Sequence, residues 1–328
     1  MAGIIRLRKA RLGRWPGCGS FEPSFSSPGG ALSAETAGSV RFLLNPAAGR
    51  GGAAGRLHRF RVLAAAAGAG LVVSKSGADI AVQARRAVED GVSRLVVAGG
   101  DGTMHQAAQG LAGSACALGV VPLGTGNDLA GTLGIPTDFE AAMARALTGR
   151  IRRLDLVRVE QAVCIGYAGV GFDSAVTRFA NEEVKRLRGP LVYVYAVLHT
   201  LATFEPPLMR VEYDGGTFTG RAMFAVVANL PRFGGGMRIA PAALPDDGWL
   251  DLVIVRELSR LRLLAVFPKV YRGTHVDHPE IQIVRTRRAE ITLDREMTLY
   301  GGGEPVATHA AGQPYVVEVM PGALPVVA

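Results

Sequence analysis

The stretch from Leu95 to Gln106, L-V-V-A-G-G-D-G-T-M-H-Q, constrains this chain more than any other. Leu95 to Ala98 read as a short buried strand, and Gly99-Gly100-Asp101-Gly102-Thr103 turns directly into a helical pattern. Residues without a Cβ let another molecule come close to the main chain. Successive amides in such a turn form an anion-binding concavity, and the helix that follows adds its positive N-terminal end. Two readings share the stretch. It is a cradle for polyphosphate, or a tight strand-to-helix turn in which Asp101 or Thr103 caps the helix.

The surrounding pattern favours the cradle. Val40 to Leu44 reads as a strand followed by the small-residue loop Asn45-Pro46-Ala47-Ala48-Gly49-Arg50-Gly51-Gly52, then a helix from Ala53 to Ala67. Leu71 to Val73 is a second strand and Ala78 to Glu89 a second helix. After the Gly99 turn and a helix ending near Leu111, Ala117 to Val121 is a fourth strand. It runs into Pro122-Leu123-Gly124-Thr125-Gly126-Asn127-Asp128, and Glu140 to Leu147 is helical. Strands alternating with helices imply a mostly parallel sheet with its loops gathered at the strands' carboxyl ends. Three Gly-rich loops, after the first, third and fourth strands, then share one edge. Asn127 and Asp128 are expected to cap the helix after the third of them.

Beyond Arg152 the pattern changes. Leu154 to Val159 and Val163 to Ala168 read as strands, Asp173 to Leu187 and Val192 to Phe204 as helices. Tyr193, Tyr195 and His199 form a stripe that fits core packing or the lining of a lipid cleft. Strands follow at Met209–Tyr213, Ala222–Val227, Leu250–Val255, Ile281–Val284, Ala289–Leu293 and Tyr315–Val319, interrupted by a helix over Ser259–Val270. This half reads as an antiparallel β domain, a sandwich. A length of 328 residues fits two domains, expected at 39–150 and 151–328, with the C-terminal tail returning to the first.

Composition narrows the partners. The net charge of +8 favours anions such as nucleotides or phospholipid surfaces, while 6% aromatic residues without a basic-aromatic pattern place nucleic acid last. Cys18, Cys116 and Cys164 are too few and too scattered for a disulfide framework or a zinc site and suit a reducing cytoplasm. No apolar run approaches the roughly 18 residues of a membrane span, so a lipid substrate would be met at the membrane surface. Residues 1–38 open with Arg6, Arg8, Lys9, Arg11 and Arg14 and continue rich in Ser, Pro and Gly. A disordered extension is preferred there to a basic arm for anionic lipid. His275 and His278 read as exposed loop histidines rather than metal ligands.

Taken in order, these motifs resemble the bacterial diacylglycerol kinases, in the lipid-kinase family that includes sphingosine and ceramide kinases. The resemblance rests on Asn45-Pro46 with Gly49, Gly99 to Thr103, and Pro122 to Asp128. It continues through Gly234-Gly235-Gly236-Met237, Ala240-Pro241, Asp247-Gly248-Trp249-Leu250-Asp251, Gly303-Glu304-Pro305 and Pro321-Gly322-Ala323-Leu324. It implies a Rossmann-like α/β domain, an antiparallel β-sandwich domain, and a cleft between them. There the γ-phosphoryl group of ATP passes to a lipid hydroxyl, most simply diacylglycerol to phosphatidic acid. It implies ATP contacts at Asn45, Ser74, Gly99, Gly100, Asp101, Gly102, Thr103, Gly124 and Thr125. It also implies a structural Mg²⁺ at the Asp247 side chain and the carbonyls of Leu244 and Trp249. Phosphoryl transfer needs mainly positioning and charge neutralisation, which amides, hydroxyls and Mg²⁺ supply. Asp101 then holds Mg²⁺ or organises its loop. The expected protein works in the cytoplasm against the inner face of the membrane, a homodimer being compatible.

One departure matters. The resemblance implies a general base, an Asp, at the position held here by Gly302, and glycine has no titratable group. Glu304, Asp101 or a water bound with the substrate then takes its place, catalysis is slow, or the chain binds nucleotide and lipid without turnover. His105 and Gln106 stand where the family more often has Asn-Glu. An NAD kinase, which shares the Gly-Gly-Asp-Gly-Thr loop, is the remaining alternative.

Overall fold

Every residue of β3 (Arg94–Gly99) after Arg94 is buried, as a strand covered on both faces requires, and the first half of the molecule is assembled around it. The computed structural model describes residues 39–51, 54–182 and 190–328; the basic stretch 1–38 and the far end of the helix expected over Asp173–Leu187 lie outside them. The order is β1 (Val40–Leu44), α1 (Leu57–Ala66), β2 (Gly70–Val73), α2 (Gly77–Glu89), β3, α3 (Asp101–Leu111), β4 (Ala117–Pro122), α4 (Asp128–Thr132) and α5 (Phe139–Thr148). The strands pair in parallel in the spatial order β4-β3-β1-β2. Ser76 starts α2 by accepting the Asp79 N–H at 3.2 Å, and Asp138 starts α5 by accepting that of Ala141 at 3.0 Å. The small face of α2 packs closely on α3 because Gly110 leaves room: a Cβ there would lie 2.5 Å from that of Ala84.

The second half contains β5 (Ile151–Val159), β6 (Ala162–Cys164), β7 (Tyr167–Gly171), α6 (Phe172–Glu182), α7 (Pro190–Thr203), β8 (Leu208–Tyr213), β9 (Gly216–Ala228) and β10 (Leu250–Arg256). There follow α8 (Arg260–Arg272), β11 (Ile281–Thr286), β12 (Arg288–Leu293), β13 (Met297–Gly301), β14 (Glu304–His309) and β15 (Tyr315–Val327). It is an antiparallel β-sandwich. β9 belongs to both layers, pairing with β8 over Gly216–Arg221 and with β7 and β10 over its second half. Val157, Val211, Val227, Leu252, Ile291 and Tyr315 lie in the core between the layers. A separate apolar cluster joins α6, α7 and α8 to the outer face of β9 and β10 through Val176, Val197, Val253 and Val266.

β15 ties the halves together. Its first residues pair antiparallel with β12, its long antiparallel pairing with β5 shifts register between Met320 and Leu324, and Val326 and Val327 pair in parallel with β4 at Leu118 and Gly119. From Gly38 onward the chain is one compact unit.

Several elements differ from the sequence reading. The helix expected from Ala53 begins at Leu57, preceded by a 3₁₀ turn over Ala54–Arg56, because the Gly-rich entry supplies no side-chain cap. The strand expected over Val163–Ala168 is two strands parted at Ile165-Gly166, and the hairpin β13–β14 has no counterpart in that reading. Tyr195 is 47% exposed and His199 stacks on Phe179 at 4.0 Å on the outside of α7, so neither is core; it is Val197 that turns inward. His275 is buried rather than exposed. A 3₁₀ turn over Thr274–Asp277 sets its Nε2 3.0 Å from the Ile239 carbonyl, and burial lowers its pKa.

Candidate active site

The loops after β1, β3 and β4 meet at the carboxyl edge of the parallel sheet. The Asn45 N–H donates to the Ala98 carbonyl at 3.1 Å and that of Leu123 to the Gly99 carbonyl at 2.8 Å, extending the ladder into the loops. Asn45 then turns its side chain inward, its Nδ2 donating to Thr103 Oγ1 at 2.9 Å. Glycine is required where these backbones touch. A Cβ on Gly124 would stand 2.6 Å from Gly100 Cα, and one on Gly99 would run into the Thr103 side chain. Asn45, Gly99 to Thr103, Gly124 and Thr125 are thus brought to one edge. Ser74 follows the neighbouring β2, its N–H bonded to the Leu44 carbonyl at 2.9 Å, and its buried Oγ has no partner.

The caps are arranged differently from the sequence expectation. Gly100, not Asp101 or Thr103, is the N-cap of α3, and it makes no side-chain bond. Asp101 serves the next helix: its Oδ1 accepts the Leu129 N–H at 3.3 Å at the start of α4. Asn127 does not cap α4 with its side chain. In left-handed conformation (φ 53°), it clasps Gly124 instead, accepting its N–H and donating to its carbonyl at 2.9 Å each. Asp128 reaches the other half of the molecule, Oδ2 accepting the Gly235 N–H at 2.9 Å. The third loop is therefore a joint between the two halves.

Below that joint lies a cleft of about 660 Å³. Asp101, His105, Thr125 and Asp128 line it from the α/β half; Tyr167, Arg232, Gly234, Tyr271, Gly302 and Gly303 line it from the sandwich half. Burial, and next the nearby Asp128 carboxylate, raises the Asp101 pKa against the opposing pull of the α4 amides. His105 is 1% exposed, and burial pushes its pKa down to about 4, so its imidazole is neutral at ordinary pH. Arg232 brings a cation to this wall, with its Nε buried and unpaired. Sequence reasoning missed it. A single Arg before Phe233 and the Gly234–Gly236 run was the available signal.

A second cavity, of about 220 Å³ and almost wholly apolar, continues from the first behind Tyr167, Phe233, Gly234 and Gly303. Val176, Val197, Val253, Val266 and Phe267 wall it. At its side sits Asp173, half-buried as a residue but with its Oδ1 enclosed and unpartnered, and desolvation pushes its pKa up to about 6. A carboxyl whose folded pKa lies above its unfolded value of about 4 destabilises the fold as pH rises between the two, because the unfolded chain gives up the proton first. Asp173→Asn is therefore expected to raise Tm at pH 7.5 and to leave it unchanged near pH 4. Thermal unfolding at the two pH values is the check, and equal shifts at both would refute the assignment.

Two of the expected groups lie away from the cleft. Glu304 is exposed at the start of β14 and does not line the cleft, because the β13–β14 turn directs it outward; it is not placed to serve as base. The Asp247 carboxylate, also outside the cleft, is engaged within the protein. Asp247 Oδ1 accepts the Trp249 N–H at 3.0 Å, its Oδ2 is paired with Arg285, and Leu244 is 57% exposed. The Arg285 guanidinium that pairs with Asp247 lies 5.2 Å from the Trp249 ring centroid. Among the described residues no group of three or more acidic, His or Cys side chains converges to hold a metal. Cys116 and Cys164 are buried free thiols, raised to about 11 and about 12 by burial, and far from reactive.

Comparison with known proteins agrees with this architecture. Residues 39–159 match the family model described as the diacylglycerol kinase catalytic domain, and residues 166–328 match the YegS C-terminal NAD kinase beta sandwich-like domain. A diacylglycerol kinase of Bacillus subtilis (strain 168) is 30% identical over 272 residues, 81% of this chain and 89% of the relative. One from Mycobacterium tuberculosis (strain H37Rv) is 31% identical over 309 residues, 90% and 97%. The crystal structure of a putative diacylglycerol kinase from Bacillus anthracis str. Sterne covers 90% of this chain and 97% of its own at a TM-score of 0.73; at 23% identity it speaks for the fold. A glycine-built edge of loops, an interdomain cleft and these matches along its length converge: the chain belongs to the bacterial diacylglycerol kinase family, phosphotransferases that use ATP.

Proposed function

We propose that this protein transfers the γ-phosphoryl group of ATP to the free hydroxyl of diacylglycerol at a membrane surface, yielding phosphatidic acid. The observation that carries the reading is the continuity of the two cavities. A cleft that carries Asp101, Asp128 and Arg232 beside a phosphate-cradling edge shares its Tyr167, Phe233, Gly234 and Gly303 wall with an apolar one, which suits a substrate with one reactive hydroxyl and long hydrocarbon chains.

Each half contributes what its chemistry allows. The amides of Gly99 to Thr103 and of Thr125 present donors to the triphosphate, and Gly124, whose own N–H is taken by Asn127, leaves room for close approach. The Asn45–Thr103 bond holds the first two loops in register, and Ser74 Oγ has a hydrogen bond to give. Arg232 offers positive charge where the phosphoryl group would pass. Asp101 and Asp128 are the residues that would hold a Mg²⁺ arriving with ATP; hard oxygen donors suit it, and the tension between two close carboxylates is what a dication relieves. Such an ion would neutralise phosphate charge.

Entry from a bilayer fits α8. Its inner residues Leu263, Val266 and Val270 are buried against the apolar cavity, while Leu261 is 80% exposed and Leu264 and Tyr271 are also open to solvent. Arg260, Arg262, Lys269 and Arg272 accompany them on a helix with no acid, a composition that binds anionic interfaces. Among the described residues no helix is long and apolar enough to cross a membrane.

The direct test incubates the protein with radiolabelled ATP, Mg²⁺ and vesicles carrying diacylglycerol, with sphingosine-containing vesicles and free NAD in parallel. Labelled phosphatidic acid is expected. Product from NAD alone would reassign the chain as an NAD kinase, and no product from any acceptor would overturn the reading.

A further inference from the structure

Among the described residues, the arginines that are not exposed are Arg41, Arg94, Arg232 and Arg295. Arg41 is paired with Asp90 and Arg295 with Asp294, and Arg94 donates to the carbonyls of Ala146 and Leu147. Arg232 has no such partner: it makes no hydrogen bond or ion pair, and its Nε is enclosed without an acceptor. A guanidinium stays charged at any ordinary pH, so drawing one partly out of water without an anion is costly. Carboxylates border the same cleft and are not used. Asp101 accepts the Leu129 N–H and Asp128 that of Gly235, and neither pairs with Arg232.

The backbone on either side of Arg232 is tied down. Before it, the N–H groups of Asn229 and Leu230 both donate to the Gly166 carbonyl, at 2.7 and 3.1 Å. After it, the Phe233 N–H donates to the Met237 carbonyl at 3.0 Å, and the Phe233 ring stacks on Tyr167 with centroids 3.8 Å apart. The guanidinium then crosses to the α/β half. Its Nη1 lies 3.4 Å from where a Cβ on Gly131 would be, so the bare backbone of α4 gives it room. Phe233 and Tyr167 belong to the wall that the cleft shares with the apolar cavity, whereas Arg232 lines the cleft alone. A lipid with its chains in the apolar cavity therefore presents its head group on the side of this cation.

We propose that Arg232 is the seat for a phosphate monoester carried on a lipid, so that the phosphorylated product is held more tightly than the alcohol it came from and restrains further turnover. The inference rests on the kinase reading above. Before transfer the lipid has a neutral hydroxyl, which gives Arg232 no charge to pair with. After transfer it carries a phosphate monoester with close to two negative charges, whose oxygens the planar guanidinium fork can bind in pairs. Asp101 and Asp128 face the same group and oppose it, so the unpaired cation on the sandwich side is what makes the site receptive. A free phosphate ion meets the same cation but leaves the apolar cavity empty, and the lipid-borne form is favoured by the area its chains bury.

Calorimetry with soluble dioctanoyl lipids tests this without turnover on the parent, R232Q and R232K. The parent is expected to bind dioctanoyl phosphatidic acid about tenfold or more tighter than dioctanoylglycerol, as a charge-assisted hydrogen-bonded pair allows. R232Q should lose that difference, and R232K should keep only part of it, since the charge remains without the fork. Affinity for ATP and Tm should change little in either. Inorganic phosphate should displace the lipid phosphate only at far higher concentration, and added dioctanoyl phosphatidic acid should inhibit lipid phosphorylation by the parent more than by R232K. An R232Q protein that melts with the parent and binds phosphatidic acid as tightly overturns the proposal and leaves the kinase reading intact. Should R232Q fail to fold, R232K decides, and parent-like affinity in it overturns the proposal likewise. Inorganic phosphate bound as tightly as the lipid phosphate would make this a site for free anions, and a parent uninhibited by saturating phosphatidic acid would remove the restraint on turnover. A parent that binds ATP yet phosphorylates no lipid overturns the kinase reading, and with it the place of this ligand as product.

Discussion

Replacing Asp101 by Asn is expected to lower the rate of lipid phosphorylation by about three orders of magnitude while leaving the protein folded. The carboxylate does two things that Asn divides. As a hydrogen-bond acceptor for the Leu129 N–H it organises the start of α4, and the Asn oxygen keeps that bond. As a charge beside Asp128 it makes a place for a dication, and Asn removes it. Losing one preorganised electrostatic partner of a transferring group costs roughly two to three orders of magnitude, and weaker metal binding adds to that. Stability should not fall. The pKa of Asp101 is raised by burial and by Asp128, so its charged form is under strain in the folded state, and the neutral amide is no worse at pH 7. Initial rates with radiolabelled ATP and a thermal melt decide the matter. A variant within tenfold of the parent would remove Asp101 from the machinery, and one that melts far lower would mean its role is structural.

The second large effect is expected at Gly124. An added methyl group at this position meets not a side chain that can swing aside but the Cα of Gly100, at 2.6 Å, and Asn127 Oδ1 at 2.9 Å. The two loops must separate, and the Asn127 clasp on Gly124 must open. Overpacking of this kind costs about 1–3 kcal/mol, a drop of several degrees in Tm. The loss in nucleotide affinity should be larger than that alone suggests, because two amide-lined loops lose their alignment on one ligand. We expect Gly124→Ala to weaken ATP binding at least tenfold by calorimetry. Gly77→Ala is the control: a Cβ there meets nothing within 4 Å, at the first residue of α2 and outside the site. Equal ATP affinity in Gly124→Ala and parent would show that the loops do not act together.

Much of this was legible in the residues, and the reason differs from place to place. The runs Leu95–Ala98 and Ala117–Val121 are so apolar that only strands covered on both faces accommodate them, and the glycines that follow announce where backbones approach one another. The antiparallel half was readable from its alternation. The hairpin β13–β14 was not, since its inward residues, Leu299 with Met297, Val306 and Ala307, are few and interrupted by Gly301 to Gly303, and β14 is an edge strand with no fully buried residue. Asp247 is ambiguous for another reason. An Asp-Gly turn looks the same whether its carboxylate awaits a cation or is paired with an arginine nearly forty positions on.

What the sequence determined by itself, then, was local: which segments become strands, where they must turn through glycine, and hence that three amide-lined loops crowd one sheet edge. Hydrophobic periodicity and the steric freedom of glycine act over a few residues, so they survive without a fold. Tertiary structure alone decided which distant groups share a space: Arg232 and Asp173 beside their cavities, Glu304 turned outward, Asp247 against Arg285, and the His105 ring in the room left by Gly302. Proximity of that kind arises when β15 closes the sandwich against the parallel sheet, and no local preference encodes it.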